Sequence, residues 1–257
     1  VTEVGRWITL AATLGVIAFN SLANALPLGG KTTGEISDGF DILFTPAGYV
    51  FSIWGLIYLG LMVFAVAQLR PSAQQDPVLA ALRPAYWVSC LANMSWLVAW
   101  HYEQFAVSWL LMITLLGSLI AVYRRVRTVG ADERGRYVWL RAPFALYLGW
   151  ITVATFANTT VVGWRAGLTG LLSDPLATLV LIAVATTVGA WVTWRDRDPV
   201  YGGVFVWALI GIAAANAGET LLTTASWLLA GICGLVGLAA IVANQRARRS
   251  VTAPAPV

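Results

Sequence analysis

Trp150-Ile151-Thr152-Val153-Ala154-Thr155-Phe156-Ala157-Asn158 decides how this chain folds. The stretch is uncharged, and its indole and its carboxamide stand eight residues apart. Offsets of three, four and eight bring side chains to one face of a helix. Asn93-Met94-Ser95-Trp96 pairs the same groups at shorter range, and Trp100 extends that stripe. An Asn in hydrocarbon needs a partner, so both stripes should face the inside of a helix bundle rather than lipid.

Hydrocarbon is the right solvent to consider. The chain is 59% hydrophobic and 11% charged, with mean hydropathy +0.75. A soluble domain carries roughly 25% charged residues, so the expected fold is all-α, a polytopic transmembrane bundle. The net charge of +4 does not suggest nucleic acid, because the basic residues sit in short loops between apolar spans. Cys90 and Cys233 fall inside apolar runs and read as small packing residues. No signal-peptide cleavage pattern precedes the first span, so Trp7 to Pro27 should remain as a transmembrane helix.

A bilayer core needs about 20 apolar residues per helix. Eight stretches meet or approach that length: 6–27, 46–69, 84–102, 105–123, 138–162, 175–194, 201–217 and 222–244. Charge placement supports the number. If the spans alternate, fourteen basic residues fall on one side and only Lys31 and Arg165 on the other. The positive-inside bias then puts both termini in the cytoplasm, and the expected location is a bacterial cytoplasmic membrane. Residues 28–45 form the longest loop on the opposite side, readable as a binding lid or as a solvated connector. The tail from 246 to 257 should be disordered.

Phe51, Trp54 and Tyr58 give the second span one aromatic face. An interfacial aromatic belt is the plainer explanation, but Trp54 and Tyr58 lie about 12 and 18 Å along a helix from Pro46 at 1.5 Å per residue. That depth suggests a pocket. Asn20, Asn24 and Asn216 read as interhelical amides, with Asn216 and Glu219 as a conceivable polar opening. His101, the sole histidine, should be a water-exposed imidazole at a helix end. No metal knot, Schiff-base lysine, mid-membrane carboxylate or nucleotide-binding motif is visible.

Together these stripes resemble the tryptophan-rich sensory protein (TspO/MBR) family, whose animal member is the translocator protein. The family's second helix begins P-P-x-W-V and continues V-W-x-x-L-Y; Pro46, Trp54 and Tyr58 keep that spacing. Its third helix carries L-N-x-x-W, matched by Asn93 and Trp96, and its fifth is matched by Trp150, Ala154 and Asn158. The likeness covers residues 6–165, as a TspO-like five-helix membrane domain. Three additional helices over 166–245 have no counterpart in it. Gly48 or Tyr49 replaces the family's first Trp, and Pro143 precedes Trp150 by seven residues rather than four.

The resemblance implies a bundle, often a homodimer, with a pocket beneath the loop joining the first two helices. Relatives bind porphyrins and haem or, in animals, cholesterol and synthetic drugs. By position, Phe51, Trp54, Tyr58, Asn93, Trp96, Trp100, Trp150 and Asn158 would line the pocket, with Lys31 and its loop as lid. The implied function is a receptor or carrier for a hydrophobic, tetrapyrrole-like ligand such as porphyrin or haem. A secondary transporter of small solutes and a pigment- or lipid-modifying enzyme stay open as alternatives. The absence of a visible catalytic constellation favours binding over catalysis.

Overall fold

The computed structural model describes residues 3–26, 28–129 and 133–252. It is all-helical: α1 (Glu3–Ala25), α2 (Thr33–Asp38), α3 (Ile53–Ala67), α4 (Pro77–His101), α5 (Phe105–Val126), the short α6 (Arg134–Arg136), α7 (Ala142–Arg165), the short α8 (Thr169–Leu172), α9 (Pro175–Asp196), α10 (Pro199–Ala215) and α11 (Thr220–Thr252). Six helical stretches are long and apolar enough to cross a membrane. With the 25-residue α4 and the 17-residue α10, which fall outside that set of six, the long helices among the described residues number eight, as expected.

Three helices open on the same chemistry. Asp76, Asp174 and Asp198 each precede a proline and accept a backbone N–H from the first turn, at 2.9, 2.8 and 3.2 Å. An N-cap carboxylate satisfies an otherwise orphan donor, and proline at the first position loses no bond. This cap moves the start of α4 to Pro77, ahead of the expected residue 84, and Pro84 lies inside the helix. At the other end of the chain, α11 continues to Thr252, so the tail expected from 246 is helical that far. Residues 253–257 and Pro27 lie outside the described residues.

The central helix is α7, which packs against α3, α5 and α10. On one side α3 and α5 pack on it, with α4 against α5 and α1 against α3 and α4; on the other, α9, α10 and α11 form a layer that reaches it mainly through α10. Small residues set the approach. A Cβ on Gly149 would stand 3.0 Å from Val204 Cγ2, and one on Gly211 would collide with Val50. Val50 belongs to the 3-10 turn Gly48–Ser52 that leads into α3. There Ala47 N–H donates to the Gly211 carbonyl at 3.1 Å, and Trp207 Nε1 donates to the Val50 carbonyl at 3.0 Å.

Charges gather at one end of the bundle, where the sequence places the basic loops. Arg141 Nε donates to Asp198 Oδ2 at 2.8 Å, and the Asp198 side chain is fully buried. Tyr123 and Tyr137 hydroxyls also donate to Asp198, at 2.9 and 3.3 Å. Arg141 and Asp198 are thus the buried knot that joins α5, α7 and α10. A buried charge persists only when it is paired and hydrogen-bonded, and both conditions are met here.

At the opposite end the 28–45 loop is folded rather than a solvated connector. Thr32 caps α2 through its hydroxyl while the Glu35 carboxylate accepts the Thr32 N–H at 2.7 Å. That reciprocal box satisfies two orphan donors, and it holds the Glu35 carboxyl below its ordinary pKa. Ile36, Ile42 and Phe44 anchor the loop in the core. Asn216 Nδ2 donates to the Leu43 carbonyl at 2.9 Å, so this amide fastens the loop and does not form an opening. Gly29, at φ 67°, presses on the His101 carbonyl, where a Cβ would come within 2.7 Å. His101 is accordingly buried, not water-exposed, with Nδ1 2.8 Å from the Leu97 carbonyl.

Candidate ligand site

Beneath α2 lies a tight hollow of about 40 Å³. One water occupies about 10–15 Å³ on this measure, so roughly three would fit. Its roof is Thr33 and Ser37 of α2, and its walls are Pro46 and Phe51, Trp54 of α3, Trp96 and Trp100 of α4, and Trp150, Val153, Ala154, Ala157 and Asn158 of α7. A second cavity of about 330 Å³ adjoins it towards α1, lined by Asn20, Ser21, Asn24 and Tyr58 among others. Thr33, Phe51, Trp54 and Trp96 line both.

The rings are ordered by their edges and faces. Trp54 stacks on Tyr58 at 5.5 Å and meets Trp150 edge-on at 6.3 Å; Phe51 meets Trp150 edge-on at 5.8 Å. Trp96 stacks on Trp100 at 5.8 Å. Offset and edge-to-face pairs of this kind are favoured by the ring quadrupole.

Polar atoms around the tight hollow are left over. Trp96 Nε1, Trp150 Nε1, Asn158 Oδ1 and Thr33 Oγ1 are buried without a hydrogen-bond partner among the described residues. Asn158 spends its Nδ2 on Ser108 Oγ at 3.1 Å, and Trp100 Nε1 donates to the Thr33 carbonyl at 3.2 Å. Two indole donors, one amide acceptor and one hydroxyl thus belong to residues that line the hollow. Among the described residues, no charged side chain lines either cavity. Arg165 lies over the Phe105 ring at 5.4 Å.

Of the residues singled out in the sequence, Phe51, Trp54, Trp96, Trp100, Trp150 and Asn158 meet around the tight hollow, and Tyr58 lines its neighbour. Asn93 lines neither: its Oδ1 accepts from Asn20 at 2.7 Å and its Nδ2 donates to the Tyr147 hydroxyl at 3.0 Å, tying α1, α4 and α7 together. Lys31 also lies outside, on Glu103 at 3.2 Å and largely exposed. Thr33 and Ser37 were missed, although the Thr32-x-x-Glu35 box announces a short helix whose residues four apart share a face.

Asn93→Ala should therefore act on folding rather than on binding. Asn20 would keep only its bond to the Val16 carbonyl and Tyr147 would lose its donor, at an expected cost of about 1–2 kcal/mol in micelle unfolding, with ligand affinity unchanged within about twofold. A tenfold loss of affinity at unchanged stability would place Asn93 in the site instead.

An all-helical bundle with six long apolar spans and an indole-walled interior defines an integral membrane protein built around an internal aromatic site. The model of the TSPO-like protein family matches residues 6–239, and the chain belongs to that family. The match runs through α9, α10 and most of α11 as well as the first five spans. No curated protein and no solved structure matches the chain.

Proposed function

We propose that the protein is a membrane receptor or carrier for a flat, hydrophobic, uncharged ligand of tetrapyrrole-like shape. One observation carries this reading: four residues that wall the hollow each hold a buried polar atom without a partner among the described residues. Each such atom costs about 1–3 kcal/mol when left unsatisfied. A ligand edge bearing both an acceptor and a donor would relieve the indole N–H groups and Asn158 Oδ1, while its ring face stacks on Trp54 or Trp96. Ligand sites are commonly apolar with a few convergent polar groups. A macrocycle needs the two cavities joined, and Phe51 and Trp54, which line both, are the rings it would have to displace. Without a lining cation, carboxylates on the ligand gain nothing from the walls.

Titration of the purified protein with a porphyrin dimethyl ester, read by tryptophan quenching, tests this. Saturable quenching is expected, weakened at least about tenfold in Trp150→Ala and in Asn158→Leu, about 1.4 kcal/mol. The free dicarboxylic porphyrin should bind no tighter than the ester. Unchanged affinity in Trp54→Ala, Trp150→Ala and Asn158→Leu together would reject the site. A dicarboxylate preference above tenfold would reject the uncharged ligand.

A further inference from the structure

A cavity of about 530 Å³ opens at the charged end of the bundle between α5, α7, α9 and α10, and shares no lining residue with the aromatic cavities. Its apolar flank includes Ile120 of α5 and Val188 of α9, and its rim carries Arg124, Arg127 and Arg195. Ile120 is 43% exposed, so this flank opens sideways to the surroundings of the bundle. Trp191, also lining it, is 57% exposed and lies 4.4 Å beneath the Arg195 guanidinium. An exposed indole next to a cation marks the depth of a membrane–water interface.

The rim is positive after its own pairing. Arg127 and Arg195 both lean on Asp196, at 3.1 and 2.8 Å, and that carboxylate is 1% exposed. Arg124 has no ion pair among the described residues. Three guanidiniums against one carboxylate leave two positive charges over an apolar groove. Guanidinium forks match phosphate oxygens, and basic pockets between membrane helices suit anionic head groups.

We infer that this groove holds an anionic phospholipid, its phosphate at Arg124, Arg127 and Arg195 and an acyl chain along Ile120 and Val188. The lipid fills the gap between α5 and α9, which Arg127 and Asp196 already tie across the rim.

Native mass spectrometry of the detergent-solubilised protein, titrated with phosphatidylglycerol or phosphatidylcholine, tests it. Phosphatidylglycerol should bind at least about tenfold tighter, or about 1.4 kcal/mol. Arg124→Gln, at an exposed position, should remove most of that preference, and Ile120→Trp should remove the tight binding by filling the groove. Arg246→Gln, an exposed arginine outside it, should change nothing. Equal binding of the two lipids overturns the proposal, as does a preference that survives both groove variants or falls equally in Arg246→Gln. Competition by glycerol phosphate at the lipid's own concentration would show a soluble anion's site and overturn the lipid assignment.

Discussion

Asp198→Ala is expected to lower the stability of the folded bundle by about 3–5 kcal/mol, the usual cost of stripping one partner from a buried ion pair. The Arg141 guanidinium would stay behind with its Nη1 on the Val129 carbonyl at 3.1 Å but without its counter-charge. Tyr123 and Tyr137 would each lose an acceptor, and α10 would lose its N-cap. Asp198→Asn should cost less, since an amide oxygen can still accept from a hydroxyl. The double variant Arg141→Met with Asp198→Leu should recover much of the loss, because apolar replacement of a whole buried pair is often neutral. Reversible unfolding in mixed micelles measures all three. A loss below about 1 kcal/mol for Asp198→Ala would mean that the pair behaves as a solvated surface bridge.

Gly211→Ala should destabilise by about 1–3 kcal/mol, the range for overpacking a tight core, although alanine favours a helix by about 1 kcal/mol over glycine. The added methyl would run into Val50 and stand 3.1 Å from Pro46 Cβ. The corner could yield by turning the Val50 side chain or by lengthening the Ala47–Gly211 and Trp207–Val50 bonds. Pro46 and Phe51 belong to the wall of the tight hollow, so ligand affinity should fall with stability. Val50→Ala removes the colliding methyls and should rescue Gly211→Ala in a double-mutant cycle. Additive losses from the two changes would show that α10 does not seat on Val50.

Helix number and inward stripes were legible because bilayer length, apolar runs and loop charge report on one another locally. Asn93, Asn158, Trp96 and Trp150 are all buried, as their spacing requires. Partners were not legible. Nothing in Asn93 itself says that Asn20 and Tyr147 use up its amide, leaving Asn158 as the carboxamide that faces the hollow. The Arg141–Asp198 pair was not legible either, because its partners stand 57 residues apart in the chain. Boundaries failed where two rules competed: Pro84 suggested a helix start, but Asp76-Pro77 supplies the cap. His101 looked exposed because the fold of Gly29 onto its backbone is a long-range event.

The two ends of the bundle differ in how hard they are to part. The α2 cover is tied by neutral bonds, from Trp100 to the Thr33 carbonyl and from the Thr33 N–H to Asn24 Oδ1 at 3.3 Å, and by the exposed Lys31–Glu103 contact. Separating the other end would strand Arg141 and Asp198 in a poorly polarisable medium. If the hollow takes the proposed ligand, the α2 side is the doorway that parts at lower cost, and the far end acts as the plug.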